Sequence, residues 1–411
     1  MRLVVVSNRV KRPGDTQAGG MAVGIDAAMA GRRGLWFGWS GAFSDGEPAS
    51  PSEAVIGGTR FLRLDLPEEE FRGYYSGFSN QTMWPLLHGR PDLVTLRPED
   101  LRDYMSVNAR FAEVLANRLL PDDVVWVHDY HLFPLASLLR ARGVRNRIGF
   151  FLHTPFADPT ELSATPIADR LAGWIGAYDA AAFHTPADVA AVRAFLARSP
   201  ATAAGRPAVA IDAVPIGIDT VAFAATAADA AVSDPSLAGA LAAIGRDTPF
   251  AIAVDRIDYS KGVPERLAAF ERFRSRFPRT EAAFVQVAVP SRMDIAAYRN
   301  VDRRMARAAA RIARMDPVAG TPGGLHLLRG AIDRDSLAAA YRRARVGLVT
   351  PLRDGMNLVA KEYVAAQSPD DPGVLVLSPW AGAAVELSCG ALIADPVRPD
   401  EVADALARAF A

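Results

Sequence analysis

Short apolar runs alternate with longer segments of helical pattern along the whole chain. The first half contains VVWV at 124–127 and IGFFL at 148–152, each followed by a helix-like stretch. The pattern restarts in the second half with FAIAV at 250–254, VGLV at 346–349 and GVLVL at 373–377. Strands that are apolar at every position are typical of parallel sheets covered by helices on both faces. The sequence therefore predicts an α/β fold with doubly wound parallel sheets.

The alternation is interrupted in residues 217–247, which are rich in Ala, Asp and Ser and have little apolar periodicity. A chain of 411 residues is long enough for two domains, each with its own core. We therefore expect two Rossmann-like domains, 1–220 and 221–411. Open parallel sheets bind ligands beyond the carboxyl ends of their strands, so we expect the functional site in the cleft between these domains.

Charge and cysteine content narrow the classes of function. The chain has 46 basic and 46 acidic residues, so it lacks the excess of positive charge that is typical of proteins that bind nucleic acids or anionic membranes. Its single cysteine, Cys389, excludes an internal disulfide and fits a reducing compartment. The N-terminus has a short apolar run, and no segment offers about 18 uninterrupted apolar residues for a membrane span. We expect a cytoplasmic protein with no nucleic acid and no membrane among its partners.

Lysine is rare: of 46 basic residues only Lys11, Lys261 and Lys361 are lysines. In VDRIDYSKG, Arg256 follows a predicted strand and Lys261 precedes a predicted helix that begins near Pro264. Two cations beside a helix N-terminus are a place for phosphate, because the helix dipole and free N–H groups act together with them. A solvated surface pair is the alternative.

A second constellation lies in PLRDGMNLVAKEYVAAQ, residues 351–367. Asp354 is predicted in a loop and Glu362 on the following helix, with the amides from Gly355 onward in the first turns of that helix. An acid in the loop and an acid on the helix can each accept hydrogen bonds from sugar hydroxyls, one at each end of a nucleotide sugar. A solvated helix face is the alternative.

The first half supplies further candidates at strand ends and in glycine-rich or aromatic segments. They are Arg9 at the end of the first strand, Gly20 after Gly19 in AGGMAVG, Tyr75 and Trp84 in YYSGFSNQTMW, Asp129 in VHDYH, and His153 in FFLHTPF. Taken singly, Tyr75 and Trp84 fit core aromatics better than binding residues. We expect no metal site, because strand alternation separates His128 from its neighbours and no Cys or carboxylate completes a ligand spacing.

Motifs spread over the chain from residue 2 to about 410 occur in the order of one known family. They are SNRV, AGGMAVG, LWFGWSG, YYSGFSN, WVHDYHL, GFFLHTPF, VPIGID, VDRIDYSKG, TPLRDGMNLVAKEYVAAQ and GVLVLSPWAGAAVEL. Together they resemble trehalose-6-phosphate synthases. The resemblance implies two Rossmann-like domains of the glycosyltransferase-B type, with the acceptor bound by the first and the nucleotide sugar by the second.

The resemblance also implies the reaction: glucose moves with retention from UDP-glucose to glucose 6-phosphate, giving α,α-trehalose 6-phosphate and UDP. The implied partners are these two small-molecule substrates, with no cofactor and no metal, and homo-oligomer formation stays open. By motif, the implied catalytic residues are Arg256, Lys261, Asp354 and His153. The implied donor contacts are Gly20, Ile332, Gly355, Met356, Asn357, Leu358, Val359 and Glu362. The implied acceptor contacts are Arg9, Tyr75, Trp84, Asp129 and Arg292.

The sequence departs from the family pattern in three places. His184 stands where many bacterial members have Gln, the segment around Ile332 is looser, and the chain stops at residue 411 where members usually continue with cross-over helices. We therefore expect these helices to be incomplete. Two alternatives stay open: a related transferase with another acceptor, such as a glucosylglycerol-phosphate synthase or a cyclitol pseudo-glycosyltransferase, and a catalytically silent, ligand-sensing regulatory subunit. The donor nucleotide, UDP, GDP or ADP, also stays open.

Overall fold

The structure is a computed structural model, and it describes residues 1–10, 20–29, 31–45, 50–199, 208–315 and 324–411. The chain folds as two units, Met1–Ile216 and Gly217–Ala411. Each unit is built on one mostly parallel sheet with helices between most successive strands, which confirms the predicted α/β class. The assignment of residues 1–220 to the acceptor and 221–411 to the donor stays a prediction.

The first unit contains an eight-stranded sheet. Its strands are β1 (Leu3–Arg9), β2 (Gly34–Ser44), β3 (Ser52–Ile56), β4 (Thr59–Pro67), β5 (Val124–His128), β6 (Arg147–Phe151), β7 (Ala180–Phe183) and β8 (Ala210–Ala213). The strand order is β3-β4-β2-β1-β5-β6-β7-β8, and only β3 runs antiparallel to its neighbour. The order reverses between β1 and β5, and such a reversal opens a crevice for ligands at the carboxyl ends of the strands.

Helices connect most of these strands. They are α1 (Gly20–Met29), α2 (Glu68–Phe71), α3 (Trp84–Leu87), α4 (Pro98–Ala116), α5 (Leu135–Ala141), α6 (Pro159–Ser163), α7 (Ala168–Gly176) and α8 (Pro186–Ala197). A π-helical segment, Arg72–Met83, joins α2 to α3, and 3₁₀ turns cover Pro91–Leu93 and Tyr130–Leu132. The sequence pattern did not predict the π-helix, whose polar and glycine residues have no clear apolar period.

The second unit contains a six-stranded parallel sheet. Its strands are β9 (Phe250–Arg256), β10 (Ala283–Val289), β11 (Leu325–Arg329), β12 (Val346–Val349), β13 (Val374–Leu377) and β14 (Leu392–Ile393). The order β11-β10-β9-β12-β13-β14 reverses between β9 and β12. The apolar runs of the sequence form these strands: every residue of β12 and all but the last residue of β10 are buried.

The helices of the second unit alternate with its strands. They are α9 (Thr220–Asp229), α10 (Pro235–Ile244), α11 (Val263–Arg276), α12 (Ala296–Ala313), α13 (Arg334–Arg343), α14 (Leu358–Ala366), α15 (Ala384–Leu387) and α16 (Pro399–Phe410), with 3₁₀ turns at Tyr259–Lys261 and Ser388–Gly390. In the described residues no helix is long and apolar enough to cross a membrane.

The segment of residues 217–247, for which the sequence pattern predicted no elements, contains α9 and α10. Asp219 and Asp234 cap these helices by accepting hydrogen bonds from backbone N–H groups of their first turns. Alanine has the highest helix propensity, so an alanine-rich segment with a capping aspartate forms a helix without a strong apolar period. Helix propensity and capping therefore determine the secondary structure of this segment, which the weak apolar periodicity did not predict.

Candidate active site

The two predicted phosphate-binding cations lie at the end of β9 and in the turn that follows it. Arg256 is the last residue of β9, and Lys261 ends the 3₁₀ turn that precedes α11. Gly262 lies between that turn and α11 in the left-handed region, at φ 65°. A Cβ at Gly262 would lie 2.6 Å from the carbonyl oxygen of Thr350. This close approach fixes the direction in which the chain enters α11.

Lys261 is paired with a residue from the second predicted constellation. Its Nζ lies 2.5 Å from Oδ2 of Asp354, and both side chains are largely buried. Asn357 donates from Nδ2 to the same Asp354 oxygen at 3.0 Å. Asp354 follows β12, so the pair lies at the carboxyl ends of β9 and β12, where the strand order of this sheet reverses. The structure thus brings together two motifs that are far apart in the sequence.

The loop from Asp354 to Asn357 is held by the segment after β13. Asp354 N donates to the carbonyl of Trp380 at 3.1 Å, and Ala383 N donates to the carbonyl of Met356 at 2.8 Å. Asn357 has φ 73°, and α14 begins only at Leu358. The prediction that the amides from Gly355 onward lie within that helix is therefore wrong. The positive φ of Asn357 is not a helical conformation, so α14 cannot begin before Leu358.

Glu362 lies in the interior of α14, and its side chain is 19% exposed. Burial raises the pKa of Glu362 to about 7, and the Arg334 guanidinium acts in the opposite direction. Arg334 Nε is 3.9 Å from Glu362 Oε1. Lys361, the neighbouring residue, pairs with Glu386 at 2.7 Å. The predicted donor contact Ile332 lies between β11 and α13 and is partly buried.

Arg292 lies in the loop between β10 and α12. Its side chain is 5% exposed and its φ is 50°. Arg292 Nη1 donates to the hydroxyl of Tyr298 at 2.6 Å, and its guanidinium carbon is 5.5 Å from the centroid of that ring. Arg256, Lys261 and Arg292 therefore lie at or just beyond the carboxyl ends of the adjacent strands β9 and β10.

In the first unit, the predicted residues Arg9, Asp129 and His153 lie at the carboxyl ends of β1, β5 and β6. The strand order of this sheet reverses between β1 and β5. Arg9 ends β1 with an exposed side chain, and its guanidinium carbon is 5.8 Å from the ring centroid of Trp39. Asp129 follows β5 with φ 74°. Its Oδ1 accepts a hydrogen bond from the backbone N of His153, which follows β6, at 3.2 Å. Trp39 lies within the LWFGWSG motif, but nothing in the sequence alone singled it out.

His153, after β6, contacts two other histidine rings, His128 at the end of β5 and His184 after β7. His128 Nδ1 is 3.0 Å from His153 Nε2, and the ring centroids of His153 and His184 are 5.6 Å apart. Burial lowers the pKa of His128 to about 3. Burial and the two neighbouring histidines also lower the pKa of His153. In the part of the chain that the structure describes, no group of three or more His, Cys, Asp or Glu side chains is placed to hold a metal ion.

The two predicted acceptor aromatics lie in and after the π-helix. The Tyr75 ring stacks between Phe71 at 5.0 Å and His131 at 5.6 Å, centroid to centroid. Trp84 begins α3, is buried, and stacks on His88 at 4.0 Å. Gly20 is the first residue of α1. Gly19 and Lys11 fall outside the described residues.

Two units, each with a mostly parallel sheet and alternating helices, are the architecture of a glycosyltransferase of the glycosyltransferase-B type. The model of glycosyltransferase family 20 matches residues 4–411, and the chain belongs to this family. It is therefore an enzyme that transfers a glycosyl group with retention.

The chain is similar to curated and solved members of the family over its whole length. It is 43% identical to the trehalose-6-phosphate synthase of Klebsiella pneumoniae subsp. pneumoniae, covering 100% of this chain and 88% of that protein. A solved E. coli structure bound with UDP-2-fluoro glucose is 42% identical, with a TM-score of 0.91 and coverage of 100% and 91%. A UDP-forming synthase from Burkholderia xenovorans, in complex with glucose-6-phosphate, is 40% identical, with a TM-score of 0.91 and coverage of 100% and 92%.

Proposed function

We propose that the protein transfers glucose from UDP-glucose to glucose 6-phosphate, with retention, and forms α,α-trehalose 6-phosphate and UDP. The observation that carries this proposal is the pairing of Lys261 with Asp354 at the carboxyl ends of β9 and β12, in a chain that matches family 20 from residue 4 to residue 411. Solved relatives with a UDP-glucose analogue and with glucose-6-phosphate support the two substrates.

The second unit is proposed to bind the donor. Arg256 and Lys261 bind the diphosphate, together with the free N–H groups at the start of α11. Glu362 accepts hydrogen bonds from the ribose hydroxyls, and Asp354 contacts the glucose. The remaining donor contacts, carried over by motif, are Gly20, Ile332, Gly355, Met356, Asn357, Leu358 and Val359. The buried loop of residues 354–357 supports this assignment, because its hydrogen bonds to the segment after β13 hold its amides in fixed directions.

For the acceptor we propose Arg9, Tyr75, Trp84 and Asp129 of the first unit and Arg292 of the second. The arginines supply positive charge for the phosphate of glucose 6-phosphate. Asp129 accepts from sugar hydroxyls, and its fixed left-handed backbone supports a defined orientation. We propose that His153 contacts the donor glucose. Its low pKa keeps the imidazole neutral, so that one ring nitrogen can accept a hydrogen bond.

We propose a front-face displacement for the chemical step. The bond between C1 of the donor glucose and the diphosphate oxygen breaks as the acceptor's anomeric hydroxyl oxygen bonds to C1 on the same face. A diphosphate oxygen takes the proton of that hydroxyl. Lys261 and Arg256 stabilise the charge of the leaving diphosphate, and no metal is needed because these cations supply positive charge at the leaving group.

The test is a panel of nucleotide-release assays with purified protein in the presence of a chelator. UDP-, GDP- and ADP-glucose are each combined with glucose 6-phosphate, glycerol 3-phosphate and glucose. We expect release that depends on both UDP-glucose and glucose 6-phosphate. Preference for glycerol 3-phosphate would favour the related transferase, and binding of both substrates without turnover would favour a regulatory subunit. Activity that returns only with added Mg²⁺ would refute the metal-free mechanism.

A further inference from the structure

Asp258 is a buried carboxylate in the turn between β9 and α11, with 0% exposure. Its Oδ1 accepts hydrogen bonds from Ser260 N at 3.0 Å and from Ser260 Oγ at 3.1 Å. Its backbone carbonyl accepts from Lys261 N at 3.1 Å. One residue therefore closes, through side chain and main chain, the turn from which the Lys261 side chain projects.

The other carboxylate oxygen of Asp258 faces a second cation. Oδ2 lies 3.8 Å from Nη1 of Arg292, and the two side chains are 0% and 5% exposed. Tyr298, whose hydroxyl accepts from the same Nη1, is fully buried. Its pKa is raised by burial and by the Asp258 charge, so the hydroxyl stays neutral. In such a dry environment a charge that faces an arginine strongly determines where the guanidinium lies.

The same turn is bonded to the loop that carries Asp354. The carbonyl of Ser260 accepts from Leu352 N at 2.8 Å and from Arg353 N at 3.1 Å. Three loops of the second unit, those after β9, β10 and β12, thus meet at one place. We call the group of Asp258, Ser260, Arg292 and Tyr298 the Asp258 junction.

We propose that Asp258 is a positioning residue that couples the donor diphosphate site to the acceptor phosphate site. This inference rests on the proposed function, in which Lys261 binds the donor diphosphate and Arg292 the acceptor phosphate. When the diphosphate binds and the turn shifts, the Asp258 carboxylate shifts with it. The guanidinium of Arg292 then moves as well, because the carboxylate attracts it. Bound UDP therefore raises the affinity for glucose 6-phosphate, and by linkage glucose 6-phosphate raises the affinity for UDP by the same factor.

Asp258→Asn tests this coupling directly. The asparagine keeps an oxygen that can cap Ser260 but removes the charge that faces Arg292. In the wild-type protein we expect UDP to raise the glucose 6-phosphate affinity about fivefold or more. In the variant we expect this factor to fall to about 1, and KM for glucose 6-phosphate to rise about tenfold or more, since the guanidinium loses its charged partner. Calorimetric titrations and steady-state kinetics measure the two quantities.

Two further variants separate positioning from loss of structure. Asp188→Asn removes a buried carboxylate of the first unit, which accepts from Phe156 N at 2.8 Å, and should leave the coupling factor unchanged even where Tm falls. Tyr298→Phe is the milder change at the junction, because it keeps the ring under Arg292 and removes only the accepting hydroxyl. It should raise KM for glucose 6-phosphate while the coupling through Asp258 persists.

A double-mutant cycle with Arg292→Ala completes the test. In that background Asp258→Asn should have no further effect on the affinity for glucose 6-phosphate. Additive effects, an unchanged coupling factor in Asp258→Asn, or the absence of coupling in the wild-type protein would each overturn the inference. A wild-type protein that binds both ligands but forms no product refutes the proposed reaction only, since the coupling is still measured by calorimetry. Failure to bind either ligand refutes both.

Discussion

At Lys261 the ammonium group already has a carboxylate partner, Asp354, at 2.5 Å. A diphosphate that binds Lys261 must therefore share the ammonium with Asp354. Because the negative charge on the leaving diphosphate grows in the transition state, the Lys261 contact contributes more there than in the bound substrate.

We predict that Lys261→Ala lowers kcat about 100- to 1,000-fold, the loss typical for one preorganised electrostatic group, with KM for glucose 6-phosphate within about threefold. Steady-state kinetics give both values. Lys361→Ala is the matched control, because Lys361 is also ion-paired, with Glu386 at 2.7 Å, and has no proposed role in the reaction. An unchanged kcat in Lys261→Ala would contradict the assignment.

Glu362 has a pKa raised to about 7 by burial. Ribose hydroxyls that donate to the carboxylate stabilise its charged form, so binding of UDP should lower this pKa and release a proton. We predict proton release on UDP binding at and below pH 7, and an affinity for UDP that rises with pH and levels off above about 7. Calorimetry in buffers with different ionisation enthalpies counts the protons. Glu362→Gln should abolish the release, and a release that persists in this variant would assign the proton to another group.

At the scale of elements, the entry into α11 depends on the left-handed Gly262. We predict that Gly262→Ala destabilises the protein by more than the roughly 1–3 kcal/mol that a left-handed alanine costs, because its Cβ would lie 2.6 Å from the Thr350 carbonyl. Gly143→Ala is the matched control: Gly143 has φ 79° in the left-handed turn after α5, where Val144 N donates to the Leu139 carbonyl at 3.1 Å, and a Cβ there meets nothing within 4 Å. Denaturant unfolding of the two variants isolates the steric cost. Equal losses would show that Thr350 moves away without cost.

Periodicity and local contacts explain which elements the sequence could predict. The VGLV run forms β12 at Val346–Val349, because a short run with β-branched residues, placed between two longer helical segments, is typical of a strand buried on both faces. α9 and α10 were missed because capping and alanine content determine them. The contact of Lys261 with Asp354 spans 93 residues of sequence, and no spacing rule gives it. It follows from the neighbouring positions of β9 and β12 in the sheet.

For the whole molecule, buried histidines set part of the pH dependence of stability. The pKa of His128 is about 3 in the folded protein and about 6.5 in an unfolded chain. Below about pH 6.5 the unfolded chain binds more protons at this group, so its contribution to stability is full above that pH and is lost as pH falls toward 3. The raised pKa of Glu362 acts in the opposite direction over this range, so the test is a difference between two proteins. We predict that between pH 7 and pH 5 the Tm of His128→Asn, which cannot titrate at this position, rises relative to that of the wild-type protein. Parallel Tm profiles for the two proteins would contradict the assignment.

The anomeric configuration and the linkage of the product test the proposed reaction most directly, and ¹³C NMR determines both. The protein is incubated with UDP-glucose labelled at C1 and with unlabelled glucose 6-phosphate, in a chelator and without added metal. We predict one new labelled anomeric signal in the α configuration, coupled across the glycosidic oxygen to the α-anomeric proton of a glucose 6-phosphate unit. A β-configured product, labelled free glucose alone, or a link to another hydroxyl of the acceptor would contradict the proposed reaction.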